Sequence, residues 1–152
     1  MNFSITYRPL TFNDVVGHEK VIREFLKRAK DRNFPNVILL SGKTGTGKTT
    51  IARIIGKTLV CLNYDENGLP CNKCELCIAI QNELMNNYYF EYNGSNIGID
   101  EMRLIESLAL SKPLTQAKAK VIVIDELQEL SSNKKAQKNI LKILERPLKN
   151  TY

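Results

Sequence analysis

The chain has 152 residues, 43% of them hydrophobic and 25% charged, and a formal net charge of +6. These values suit one globular domain that buries about two-thirds of its unfolded surface, and they exclude a disordered or membrane-embedded chain. No apolar run is longer than a strand, and Met1-Asn2-Phe3-Ser4 lacks the charged and apolar regions of a signal peptide, so a cytoplasmic protein with no membrane partner is expected.

In chain order, the first predicted element is a helix from about His18 to Asp31. The run Val37-Ile38-Leu39-Leu40 predicts a first strand, Val37–Ser41, leading into Gly42-Lys43-Thr44-Gly45-Thr46-Gly47-Lys48-Thr49, which fits the phosphate-binding pattern G-x-x-x-x-G-K-[ST]. Its glycines let the backbone curl around an anion with N–H groups pointing inward. Lys48 can neutralise β/γ-phosphate charge, and Thr49 can offer its hydroxyl to Mg²⁺. Thr50 and the following residues keep apolar side chains at helical spacing, so the loop opens a helix ending near Cys61.

All four cysteines fall in the next segment, Cys61, Cys71, Cys74 and Cys77, with repeated C-x-x-C spacing. In a reducing compartment that spacing favours a metal over disulfides, and four thiolates would close a tetrahedral Zn²⁺ shell with no open position. Such a site is structural, pinning the polar loop Asn63–Gly68 back onto the domain. Buried or redox cysteines and an iron–sulfur cluster are the competing readings.

A helix from Glu75 to Asn86, a strand at Tyr88–Tyr92, a helix at Ile99–Leu110 and a strand at Val121–Ile124 follow. The last predicted element is a helix from Asn133 to Glu145, with Ile140, Leu141 and Leu144 as its apolar face. Lys134, Lys135, Lys138 and Lys142 recur along it, as either a nucleic-acid-binding face or a solvated one. Alternating strands and helices predict an α/β fold whose parallel sheet is covered on both faces. The run Val121–Ile124 delivers Asp125 and Glu126 at its carboxyl end, where ligands of such sheets bind. There Asp125 can hold Mg²⁺ and Glu126 can activate an attacking water, although acids at that place also favour a following helix dipole.

The segment Tyr7-Arg8-Pro9-Leu10-Thr11-Phe12-Asn13-Asp14-Val15-Val16-Gly17-His18, the phosphate loop, the four-cysteine insert and the acidic strand, in that order, resemble the clamp-loader ATPases of the AAA+ class. The resemblance is strongest to gamma/tau subunits of bacterial DNA polymerase III, and Phe90–Arg103 is also similar to replication factor C small subunits. It implies a P-loop NTPase core with an inserted zinc module over residues 61–77, and ATP, Mg²⁺ and Zn²⁺ as cofactors. Tyr7, Arg8 and Val16 would lie around the adenine and ribose, and Asn93 would be a polar switch restraining Glu126. Arg103, Lys134, Lys135 and Lys138 would track the phosphates of primer–template DNA, with other clamp-loader subunits and a sliding clamp as partners.

His18 in place of a glutamine, Leu127-Gln128-Glu129-Leu130, and Leu144-Glu145-Arg146-Pro147-Leu148 depart from the family pattern and suggest a divergent member. By the resemblance the chain is the amino-terminal part of the ATPase domain, without its carboxyl-terminal strands and lid. A sensor strand would begin near Tyr152, between the phosphate-loop strand and the strand bearing Asp125. Without it both strands would have open edges, and weak turnover with self-association is expected. The alternatives are a non-hydrolysing delta-prime-like subunit, a small P-loop kinase and a zinc-dependent DNA-binding module with a vestigial nucleotide site.

Overall fold

Ile22, Phe25 and Ala29 recur at helical three-and-four spacing. In the computed structural model, which describes residues 8–84, 86–112, 119–132 and 134–152, they form the buried side of helix α1, Glu19–Asp31. The chain divides into two compact units, Met1–Phe34 with Leu39–Leu84 and Pro35–Ile38 with Met85–Tyr152.

In the first unit, Phe12 opens a short 3₁₀ turn, Phe12–Asp14, and stacks on Phe25 with centroids 5.6 Å apart; Phe25 in turn stacks on Phe34 at 6.4 Å. Asp14 Oδ2 ties the turn by accepting from the backbone N–H groups of Leu10 at 3.1 Å and Thr11 at 2.8 Å. Helix α2, Lys48–Val60, buries Ile51, Ile54, Ile55 and Leu59, and helix α3, Glu75–Gln81, packs on it with Leu76, Cys77 and Ile80 buried. The expected helix to Asn86 stops early. Glu83 takes a left-handed conformation at φ 60°, and the N–H groups of Glu83 and Leu84 close onto the carbonyls of Ile80 and Ala79, satisfying the last turn and ending the helix.

The second unit contains two parallel strands, β1, Tyr89–Asn93, and β2, Val121–Asp125, in a register that sets Tyr89 opposite Val121 and Asn93 opposite Asp125. Helix α4, Ile99–Leu110, connects them and has the bounds the sequence pattern gives, and helix α5, Lys134–Glu145, follows β2. Tyr92, Ile122 and Ile124 pack against a buried cluster of Ile97, Met102, Ile105, Leu130, Ala136 and Ile140. On α5 the inward residues are Ala136, Ile140 and Ile143. Leu141 and Leu144, expected on that face, are 59% and 40% exposed. Positions 136, 140 and 143 follow the four-and-three spacing of one stripe, while Leu141 and Leu144 fall outside it.

The expected strand Val37–Ser41 does not form. A strand is defined by its ladder, and among the described residues the segment has no ladder partner; Leu39 is 76% exposed. Its approach is nonetheless fixed in the second unit, where Asn36 Nδ2 donates to the carbonyls of Leu148 at 3.2 Å and Thr151 at 2.9 Å. Thr151 in turn makes a parallel bridge to Lys120, and Ile122 N–H donates to Tyr152 O at 2.8 Å. An isolated parallel bridge at Thr151 therefore lies beside β2, on the edge away from β1, while the described sheet itself has two strands.

Candidate nucleotide and metal sites

The phosphate loop, in the first unit, ends at Gly47, the N-cap of α2, with φ 85°; Gly45 has φ 80°. Both need the left-handed region that glycine enters without strain. The first turn of α2, Lys48-Thr49-Thr50, carries no acid, so its positive dipole end is left for an anion. Gly42–Gly45 are exposed and Thr46–Thr50 half-buried. Lys48 Nζ arches back over the loop to the carbonyls of Gly42 at 3.0 Å and Lys43 at 2.9 Å, and Thr46 Oγ1 donates to Lys43 O at 2.8 Å. Thr44 lies in the exposed part of the turn.

Of the three residues expected around a base and ribose, Tyr7 lies outside the described residues and Val16 is 96% exposed. Arg8, with Pro9 and Leu10, lines a cleft against Thr50, Arg53 and Ile54 of α2. Arg8 and Arg53 share one carboxylate oxygen, Glu83 Oε1, at 3.0 and 2.5 Å. Sequence reasoning passed over Arg53 and Glu83, because an arginine in a helix and a glutamate just past another carry no motif.

The four cysteine sulfurs lie within 4.8 Å of one another. A tetrahedral Zn²⁺ with Zn–S near 2.3 Å sets them about 3.8 Å apart, so the donor set fits with a slight contraction. The backbone is arranged for thiolates. Cys71 N–H donates to Cys61 Sγ at 3.3 Å, and the N–H groups of Lys73 and Cys74 donate to Cys71 Sγ at 3.4 and 3.3 Å. Burial pushes the Cys61 and Cys77 thiols up. It also pushes on Cys71, but there the N–H donors of Lys73 and Cys74 win and lower it to about 7. Four thiols gathered within 4.8 Å, two pushed up by burial and one lowered by N–H donors, are the donor chemistry of a soft cation, and Zn²⁺ would complete it structurally.

The loop expected to be pinned down lies on α1. A Cβ at Gly68, where φ is 74°, would stand 2.0 Å from Ala29 O, and Arg32 Cζ sits 4.1 Å above the Tyr64 ring. Arg32 also donates to Thr58 O at 2.7 Å, covering a carbonyl of the last turn of α2. His18 is the exposed N-cap of α1, at φ 55°.

In the second unit, Asp125 ends β2 and accepts Glu126 N–H on Oδ1 at 2.9 Å. Glu126 is exposed and sits at φ 51°, an uncommon conformation for glutamate. Asn93 Nδ2 reaches Glu126 Oε2 at 3.4 Å, and Asn93 Oδ1 accepts Ser95 N–H at 2.9 Å and Ser95 Oγ–H at 2.7 Å. Those two bonds fix which way the amide points, so its NH₂ faces the glutamate. The backbones approach so closely that a Cβ on Gly94 would lie 2.4 Å from Glu126 O. Gly94 and Ser95 were not singled out from the sequence; the Asn-Gly-Ser at a strand end was the available signal.

The candidate DNA-contact residues are exposed. Lys134, Lys135 and Lys138 lie on the outer side of α5, and Arg103 of α4 pairs with Asp100 at 3.2 Å. Among the described residues, no helix is long and apolar enough to cross a membrane.

Residues 17–152 match the family model described as DNA polymerase III, delta subunit. The chain belongs to that family. It is 34% identical over 139 residues, 91% of its length, to DNA polymerase III subunit gamma/tau of Mycoplasma pneumoniae, of which this covers 20%. It is 36% identical over 141 residues, 93% of its length, to the tau subunit of Bacillus subtilis, covering 24% of that protein. A plant protein, STICHEL of Arabidopsis thaliana, is 35% identical over 152 residues, 97% of the chain and 12% of STICHEL. The chain is thus gamma/tau-like and clamp-loader-like over nearly all its length, and it spans about a fifth of these bacterial relatives.

Proposed function

We propose that this chain is the amino-terminal, ATP-binding part of a clamp-loader subunit that acts in DNA replication in the cytoplasm. Gly42–Thr50 would hold the phosphates, with Arg8 toward the adenine and ribose. Thr49 and Asp125 are the candidate Mg²⁺ ligands, a cation that neutralises phosphate charge when bound. Glu126 would take the proton of the attacking water. One observation carries this reading: a glutamate at the carboxyl end of a parallel strand, strained in backbone and met by an amide that two serine bonds orient. The Asn93 amide can hold Glu126 back, so hydrolysis would wait on whatever moves Asn93.

Ring partners, a sliding clamp and primer–template DNA are the proposed macromolecular contacts, with Lys134, Lys135, Lys138 and Arg103 meeting phosphates by charge. The family model's delta-subunit description favours a second reading, a subunit that binds without turning over. The two separate in an assay of the complete protein with clamp and primed DNA. ATP turnover that falls about a hundredfold or more in Glu126→Gln while ATP stays bound, and loss of both in Lys48→Ala, support the hydrolysing reading. Equal turnover in wild type and Glu126→Gln refutes it.

A further inference from the structure

Lys57 is the one lysine of α2 that the nucleotide and metal readings leave unused, and it is 3% exposed. Its ammonium donates to Leu10 O at 2.6 Å and to Asn72 Oδ1 at 2.7 Å. Leu10 belongs to the stretch Arg8–Leu10 that lines the cleft beside Thr50, Arg53 and Ile54. Asn72 stands inside the cysteine knuckle between Cys71 and Lys73, at φ 54°, with its Nδ2 bonded to Pro70 O at 3.3 Å. A single buried cation on the phosphate-loop helix thus joins the wall of the cleft to the metal knuckle.

We propose that Lys57 is a positioning residue through which the four-cysteine metal module braces the nucleotide cleft: the metal fixes the knuckle, Asn72 fixes Lys57, and Lys57 fixes the Leu10 carbonyl against α2. This rests on the nucleotide reading above. The physical reason is that a buried ammonium must spend its donors on fixed acceptors. Removing one leaves a desolvated N–H that pulls the side chain toward water and releases the other. Leu10 N–H also bonds Asp14, so freeing its carbonyl loosens a turn that is otherwise closed. The zinc module then does more than hold its own loop, and cleft geometry becomes dependent on metal occupancy.

The test uses Asn72→Gly, which keeps the left-handed backbone but removes both the acceptor for Lys57 and the Nδ2 bond to Pro70 O, and Asn72→Asp, which restores the acceptor without that bond. Zinc content is measured by release to a chromogenic chelator, ATP·Mg²⁺ affinity by titration calorimetry, and amide exchange at residues 10–14 by mass spectrometry. Asn72→Gly is expected to keep one zinc per chain, bind ATP·Mg²⁺ about tenfold more weakly and exchange faster at residues 10–14, and Asn72→Asp to return both values to near wild type. Wild-type affinity should also fall in step with zinc along a chelator titration and recover on adding zinc. Unchanged affinity and exchange in zinc-loaded Asn72→Gly overturn the proposal, as does wild-type affinity that ignores zinc. Wild-type protein that holds zinc but binds no ATP refutes the nucleotide reading itself, and this proposal with it.

Discussion

The phosphate loop and the cysteine knuckle hang from opposite ends of α2 and are built on opposite principles. The loop is exposed and supplies its own bonds, with Lys48 and Thr46 held by loop carbonyls. The knuckle buries Cys77 completely and leaves Cys61 5% exposed, and its sulfurs have little but backbone N–H groups and one another for company. A site that satisfies itself can stand without its ligand. A site that gathers buried thiols depends on the cation that lets them ionise.

The largest effect should come from removing a knuckle ligand. Cys77→Ser is expected to lose zinc and lower the thermal midpoint by about 10 °C or more, whereas Lys48→Ala should move it by no more than about 2 °C. Scanning calorimetry of the two variants checks this, and equal shifts would erase the distinction between the sites.

Glycines sharpen it next. Gly68→Ala drives a Cβ into the Ala29 carbonyl at a left-handed position, while Gly45→Ala meets nothing within 4 Å and has only the φ of 80° against it. Urea unfolding should show a loss of about 3 kcal/mol for Gly68→Ala and about 1 kcal/mol for Gly45→Ala. Comparable losses would mean that the loop over α1 yields more easily than its contacts imply.

The smallest effect concerns thiol chemistry in the metal-free chain. Because backbone N–H donors lower the Cys71 thiol to about 7, its alkylation by iodoacetamide should rise through that pH, with the thiolate present above it and lost below. Cys77, pushed up by burial, should stay protonated and unreactive across the same range. Mass mapping of labelled peptides distinguishes them, and reaction at Cys77 ahead of Cys71 would show that the knuckle opens without metal.

Much of the candidate chemistry was legible because it lies in contiguous residues. Gly42–Thr49 needs particular residue types at fixed spacing to wrap an anion, and four cysteines in one segment announce a shared ligand. Asp125 and Glu126 were legible as the polar end of an apolar strand. Less visible were the supports. Lys57 reads as a surface lysine until Leu10 and Asn72, distant in sequence, close over it. Gly94 reads as a turn residue until Glu126 O arrives beside it.

By itself, then, the sequence determined the α/β alternation, the place to within a residue of the strands expected at Tyr88–Tyr92 and Val121–Ile124, and the bounds of α4. Periodicity and strand chemistry are local, and they survive whatever packs around them. Tertiary structure decided what depends on a partner. Val37–Ser41 has strand composition but no ladder, α3 stops where Glu83 turns left-handed, and α5 turns Ala136, Ile140 and Ile143 inward rather than Leu141 and Leu144. A ladder, a cap and a choice between two apolar stripes are settled by what lies opposite, and a one-dimensional pattern does not contain the opposite side.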